Sequence, residues 1–408
     1  MSHTKDVIKG ISLIGFLRFS TKGIGFLETI ILARILAPSQ FGAYGIALLT
    51  LGLLEVITET GVNIVLVQEK EIEDFISSAW IVSIARGIVI TFALYFSSPF
   101  IAGFFHSPQA LILLQFMSIV PLLRGFINPA VVKLQKNLQF GKDFSYRFTV
   151  LVVDTVTSVI VTYLTKNPIG IVVGLLSGVI VEVILSFAVI SPRPWLSFKK
   201  EYIKKIFHGG KWITFGGIFD YLFENADNIV VGRLLGASSL GIYQLAYSLA
   251  VMPLTEVGKV FQYVGMPILV KISDDMFHLR NEFSKSIFIS LTLTIPFVLI
   301  IILFPGLFVW LLGNKWSGIE IVLPFLAGVG LLRALTGTSS ALFYSMKKQK
   351  IPMITTFITS LGLVLLIIPL VSLYGIVGAA IAALISSVIA LPFTGIFVWK
   401  ELRTKKYE

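Results

Sequence analysis

Apolar stretches of about 20 residues, each enough to cross a bilayer core of roughly 30 Å, recur from one end of this 408-residue chain to the other. Lipid offers no hydrogen-bond partner, so each stretch has to satisfy its backbone internally, as a helix. Read between charged residues and Pro, Gly or Asn punctuation, helices are expected near 10–34, 41–67, 75–97, 109–133, 143–164 and 168–190. A second set is expected near 209–235, 239–270, 284–304, 318–346, 352–373 and 375–399. The fold class expected is therefore all-α integral membrane, with twelve transmembrane helices. Charged residues make up 13% of the chain, about half the usual share in a soluble domain. Arg18, Lys22 and Glu28 interrupt the first stretch and no small-residue cleavage site follows it, so it reads as a span rather than a cleavable signal.

The basic residues give an orientation. Most of the 33 Lys and Arg fall in alternate connections, the basic run Lys199, Lys200, Lys204 and Lys205 among them, whereas the other connections hold only Arg34, Lys166, Arg233 and Lys315. Positive charge stays on the cytoplasmic side, so both termini are expected there. Glu69, Glu71, Glu73 and Asp74 surround Lys70 in one inner loop, and acidic residues count little in this rule. The net charge of +11 is thus a topology signal, and no nucleic-acid partner is expected.

The chain also repeats itself. Leu32-Ala33-Arg34-Ile35-Leu36-Ala37-Pro38-Ser39-Gln40-Phe41-Gly42-Ala43-Tyr44 matches the segment from Val231 to Tyr243, with Arg, Leu, Ser, Gly and Tyr identical in register. Phe116 to Arg124 (FMSIVPLLR) matches Phe325 to Arg333 (FLAGVGLLR), and Thr58-Glu59 answers Thr255-Glu256 after a two-residue slip. The organisation expected is a six-helix bundle over 1–190, a basic cytoplasmic linker over 191–208 and a second six-helix bundle over 209–408. Six spans per half make the copies parallel, one of the standard plans of secondary transporters.

A charge in the middle of a span costs at least about 2.5–3.5 kcal/mol on insertion scales, so each such residue needs a reason. The basic set is Arg18, Lys22, Arg86, Arg124, Lys259 and Arg333. The acidic set includes Glu28, Glu55, Glu59, Asp154, Glu182, Asp220, Glu224, Asp227 and Glu256. Arg18 and Lys22 are four residues apart, on one face of the first helix. Asp220, Glu224 and Asp227 follow i, i+4, i+7 spacing on one face of the seventh, where the repeat puts Thr21, Gly25 and Glu28 in the first. Arg34 and Arg233, at span ends, need only snorkel to the interface. Glu59 and Glu256 suit capping or pairing at inner helix ends. Arg124 and Arg333 fit a cavity role as well as interhelical pairing.

The chemistry available to the chain is bounded by what it lacks. There are no cysteines, and the four histidines have no metal-ligand spacing. Gly209-Gly210-Lys211-Trp212 is too short to be a phosphate-binding loop, and no zinc-protease or nucleophile-elbow pattern occurs. No cofactor or metal is expected, and transport could not be driven by ATP hydrolysis on this chain.

The span-end segment LARILAPSQFGAYGIA and its partner DNIVVGRLLGASSLGIYQLAYSLAVMPL resemble the Wzx-type polysaccharide flippases of the multidrug, oligosaccharidyl-lipid and polysaccharide exporter superfamily. VVKLQKNLQF at 131–140, and Gly313-Asn314-Lys315-Trp316 leading into IEIVLPFLAGVGLLRAL, carry the same resemblance. It implies a V-shaped pair of bundles that alternates between inward- and outward-open states. The substrate implied is a polyprenyl-pyrophosphate-linked oligosaccharide, flipped for surface polysaccharide assembly, with membrane lipids and the polymerase machinery as further partners. A cationic cavity is implied, in which Arg18, Lys22, Arg124 and Arg333 would clamp phosphate. Asp220, Glu224, Asp227 and Glu28 depart from a simply cationic cavity. They would serve proton or sodium coupling, or contact sugar hydroxyls. An ion-coupled drug or cation antiporter of the same superfamily is the alternative, and the short outward loops disfavour a membrane enzyme.

Overall fold

A computed structural model describes residues 21–404, apart from 60–61, 63–65, 67–72, 138 and 274. The described chain is almost entirely helical. Helix α1 covers 21–35, followed by α2 (Pro38–Ile57), α3 (Glu73–Phe104), α4 (Pro108–Met117), α5 (Ile119–Gly125), a short α6 (Val132–Lys136), α7 (Phe140–Thr165) and α8 (Ile169–Val189). Then come α9 (Lys200–Lys271), α10 (Met276–Leu303), α11 (Pro305–Leu312), α12 (Leu323–Ser345) and α13 (Lys350–Thr404). Among the described residues, nine of these stretches are long and apolar enough to cross a membrane, and the protein is a multi-pass membrane protein.

Helix ends follow local chemistry. Proline opens α2, α4 and α11, where its missing N–H costs nothing. At the start of α2, Gln40 Oε1 accepts from the Ala37 N–H at 2.9 Å, while Gln40 Nε2 donates to the Lys166 carbonyl at 3.1 Å. The carboxylate of Asp275 caps α10, accepting from the N–H groups of Phe277 and His278 at 3.0 Å each. That cap starts the helix at Met276, well before the expected 284, because a polar first turn needs only its free donors satisfied. The two longest helices each contain a break. Gly236 (φ 81°, ψ 176°) interrupts α9 and Gly375 (φ 61°, ψ −137°) interrupts α13, conformations that only glycine adopts without strain. Both breaks lie where the sequence reading separates one span from the next.

The helix expected near 109–133 is divided, although 108–125 still forms one membrane-length stretch. Pro121 has no N–H for the carbonyl four residues back, and the helix breaks at Ser118 between α4 and α5. Thr91 Oγ1 donates to the Ser118 carbonyl at 2.8 Å and so satisfies a group at the break. A second break follows α5, where the fully buried Asn128 ties the chain to the end of α8. Its N–H donates to Ser186 Oγ at 3.0 Å and its Nδ2 to the Pro192 carbonyl at 3.1 Å.

By internal contacts the chain divides into two units, Met1–Leu222 and Phe223–Glu408. In the first, α7 and α8 pack backbone to backbone. A side chain at Gly170, Gly174 or Gly178 would meet Thr162, Ser158 or Asp154 within 2.4–2.9 Å, the small-residue stripe of a close helix pair. In the second, α12 packs on α9 in the same way: a Cβ on Gly330 would fall 2.9 Å from the Ala250 carbonyl oxygen, and one on Gly258 would fall 2.8 Å from that of Ala334.

Candidate functional site

The site in the first unit begins with a crossing of α3 and α5. A Cβ added to Gly87 would lie 2.4 Å from the Pro121 carbonyl oxygen, and one added to Gly125 would lie 2.8 Å from that of Ser83. The absence of side chains at both positions lets the two backbones touch. Arg86 and Arg124, each the neighbour of one of these glycines in the chain, are thereby brought to the same cavity.

That cavity has a volume of about 390 Å³ and lies among α2, α3, α5, α7 and α8. Its charged lining comprises Arg86, Arg124 and Arg147 against Glu55, Glu59 and Glu182. Arg124 Nη1 donates to Glu55 Oε1 at 2.8 Å. Arg86 Nη2 donates to the Glu55 carbonyl at 2.7 Å and lies 3.3 Å from Glu59 Oε2, while its Nε donates to Thr58 Oγ1 at 3.2 Å. A guanidinium placed on the last carbonyls of α2 also matches the negative end of that helix. Arg147 is held one turn away, its Nε 2.9 Å from Asp143 Oδ1. The three cations are therefore balanced by carboxylates, and the lining is near neutral.

A polar cluster in the second unit centres on Asp227, which is 2% exposed. It accepts from the Tyr243 hydroxyl at 2.8 Å and from the Asn228 N–H at 2.8 Å. The Tyr243 and Tyr247 rings lie 6.4 Å apart, and Arg333 donates to the Tyr247 hydroxyl with its guanidinium 5.5 Å from that ring. A related set of residue types occurs in the first unit. Tyr44, the repeat partner of Tyr243, lies within electrostatic range of Glu28, Asp154 and Arg124. Thr155 Oγ1 donates to Glu28 at 2.9 Å. In the second unit a carboxylate before the break at Gly236 and a tyrosine after it thus meet directly, and Arg333 joins them through Tyr247.

The residues singled out from the sequence have different surroundings. Arg18 lies outside the described residues. Lys22 is exposed on α1, and Glu28 is half-buried against α7. Arg124 lines the cavity of the first unit and Arg333 joins the cluster of the second. The i, i+4, i+7 set on α9 is unequal: Asp220 and Glu224 are exposed whereas Asp227 is buried. Arg34 is exposed and Arg233 half-buried, and Lys259 pairs with Glu256 at 3.0 Å. Sequence reasoning did not single out Arg147, Asn128, Tyr243 or Tyr247. The identity of Tyr44 and Tyr243 within the repeat was the available signal for the tyrosines.

Residues 31–321 match the polysaccharide biosynthesis protein family. The lipopolysaccharide biosynthesis protein WzxC of Escherichia coli (strain K12) is 27% identical over 339 residues, covering 82% of this chain and 69% of WzxC. Among solved structures, the lipid II flippase MurJ in an inward closed conformation superposes with a TM-score of 0.72 at 18% identity, covering 96% of this chain and 89% of MurJ. An inward-facing multidrug resistance MATE family transporter of the MOP superfamily superposes with a TM-score of 0.66 at 16% identity, covering 95% of this chain and 96% of the transporter. The fold is that shared by these transporters.

Proposed function

The chain belongs to the polysaccharide biosynthesis protein family, and from that premise we propose that it is a flippase for polyprenyl-pyrophosphate-linked oligosaccharide units. It moves them across the cytoplasmic membrane for surface polysaccharide assembly by alternating access, without ATP hydrolysis and without acting as an enzyme. Both termini lie in the cytoplasm, as the distribution of Lys and Arg supports. Twelve spans in two repeated bundles are supported by the nine membrane-length stretches, by the breaks at Gly236 and Gly375 that divide two of them, and by α1.

The observation that carries this reading is the arginine-lined cavity within the first unit. A guanidinium has five donors in a planar fork that matches phosphate oxygens. Arg124 uses one of them on Glu55 and lines the cavity. Arg333 and Lys22, with Arg18 outside the described residues, complete the cationic set proposed for the pyrophosphate. Asp227, Glu28, Asp220 and Glu224 are proposed for coupling to protons or sodium, or for contact with sugar hydroxyls.

The test is translocation of a fluorescent polyprenyl-pyrophosphate-linked oligosaccharide in proteoliposomes containing only this protein, with and without a proton or sodium gradient. Protein-dependent translocation is the expected result, and its gradient dependence names the coupling ion. Fold similarity to a multidrug transporter at a TM-score of 0.66 favours one second reading, an ion-coupled drug or cation antiporter. Gradient-driven efflux of a lipophilic cation without lipid translocation would select it.

A further inference from the structure

The two arginines at the α3/α5 crossing are held differently. Arg86 is fixed by a backbone carbonyl in the last turn of α2 and by a hydroxyl and a carboxylate from the two residues that follow it. Arg124 has one side-chain acceptor among the described residues, Glu55 Oε1, and its side chain remains 40% exposed. From this asymmetry we propose that Glu55 is an internal counter-anion, occupying on Arg124 the place that an incoming diphosphate oxygen takes. The inference deepens the flippase reading and rests on it.

The chemistry of exchange follows from the residues present. With Glu55 on Arg124, the cavity lining carries equal numbers of cations and carboxylates and has no strong preference for a stray anion. A diphosphate brings several oxygens and more than one negative charge, so it can satisfy donors of Arg124 that a single carboxylate oxygen leaves unused. Glu55 then swings off Arg124, while its main-chain carbonyl still holds Arg86. Arg86 therefore acts as a positioning residue that keeps the end of α2 in place during the exchange. Glu59 stays with Arg86, Asp143 with Arg147, and Glu182 faces the same cavity without an ion pair among the described residues. The half-exposed setting matters, because a pair partly open to water exchanges partners at small cost.

Glu182 supplies the internal control: its charge faces the same cavity and acts on Arg124, but it makes no hydrogen bond to that guanidinium. The experiment is calorimetric titration of the purified full chain in detergent with inorganic pyrophosphate, comparing the parent with E55Q, E182Q and R124A. Removing the competitor releases one charge-assisted contact, so E55Q is expected to bind pyrophosphate about tenfold more tightly, whereas E182Q changes binding by less than about threefold. R124A is expected to lose binding. Equal tightening by E55Q and E182Q would overturn the exchange in favour of simple loss of negative charge. Weaker or unchanged binding by E55Q, or no binding by any form, would overturn it too. If E55Q does not fold, E55A takes its place against E182Q with the same expectations. Tighter binding by E55Q with no lipid translocation by the parent chain would leave the exchange standing and remove the flippase reading. Translocation by the parent without tightening in E55Q would do the reverse.

Discussion

Arg124 Nη1 lies 2.8 Å from Glu55 Oε1, a hydrogen bond that ties α5 to α2 across the lining of the cavity. Both side chains are partly exposed, at 40% and 31%, which limits what the pair adds to stability to about 1 kcal/mol or less. Arg124→Ala is therefore expected to leave the thermal midpoint in detergent within a few degrees of the parent. Transport of the lipid-linked oligosaccharide in proteoliposomes is expected to fall more than about tenfold, the loss of one charged contact to phosphate. Arg124→Lys keeps the charge without the fork and should retain part of the activity. Loss of the folded protein in both variants would assign Arg124 to structure.

Lys133 and Glu73 make an ion pair at the ends of α6 and α3, with Nζ 2.8 Å from Oε1. The lysine's hydrogen bond and charge hold the Glu73 carboxyl below its ordinary value of about 4.5. A carboxylate whose pKa is lowered on folding binds protons less readily in the folded state. Its contribution is thus complete above the ordinary value and is lost as pH falls through the lowered one. Glu73→Gln should therefore shift the thermal midpoint slightly at neutral pH and not at all in acid well below the lowered value, where both forms are uncharged. A shift of the same size at both pH values would show that the pair contributes nothing through its charge.

Gly87 and Gly125 permit the backbone contact of α3 with α5. A methyl group at Gly87 would have to fit 2.4 Å from the Pro121 carbonyl oxygen, so Gly87→Ala forces the helices apart, at a cost of about 1–3 kcal/mol. Gly103, on the same helix, has nothing within 4 Å of its added Cβ, and Gly103→Ala should be neutral or slightly stabilising. Thermal unfolding in detergent separates the two. Because Arg86 and Arg124 flank this crossing, Gly87→Ala should also reduce transport by more than its stability loss explains.

What could be read from the sequence was whatever depends on neighbours along the chain. Long apolar runs located most spans, and the repeat identified Arg124 and Arg333 as corresponding residues. The span expected near 109–133 is present as the stretch 108–125, but it is divided at Ser118, where Pro121 offers no N–H to the carbonyl four residues back. α10 starts earlier than its apolar run because Asp275 caps a polar first turn. Partners across helices were the least legible. Arg86, Glu55 and Glu59 stand out as charges within spans, but the packing of α3 and α5 against the end of α2 decides which of them meet. The i, i+4, i+7 spacing put Asp220, Glu224 and Asp227 on one face. It could not show that Tyr243, beyond the break at Gly236, reaches back to take Asp227 out of that set.

The bond from Tyr243 to Asp227 leads to the last prediction. Asp227 is buried, and its carboxylate is held by the Tyr243 hydroxyl and the Asn228 N–H. Tyr243→Phe removes a donor from a buried acceptor while preserving the ring, and should lower stability by about 1–3 kcal/mol. Asp227→Asn keeps the shape and can still accept from Tyr243, so it should fold with a smaller loss. If Asp227 couples transport to an ion gradient, the Asn variant will translocate lipid-linked oligosaccharide with an altered dependence on pH or sodium, because an amide can neither carry the charge nor take up the proton. Comparing the two variants in proteoliposomes under imposed gradients separates the roles. An unchanged gradient response in Asp227→Asn, together with a lowered thermal midpoint in Tyr243→Phe, would make the pair a structural tie between the two helical segments that flank Gly236.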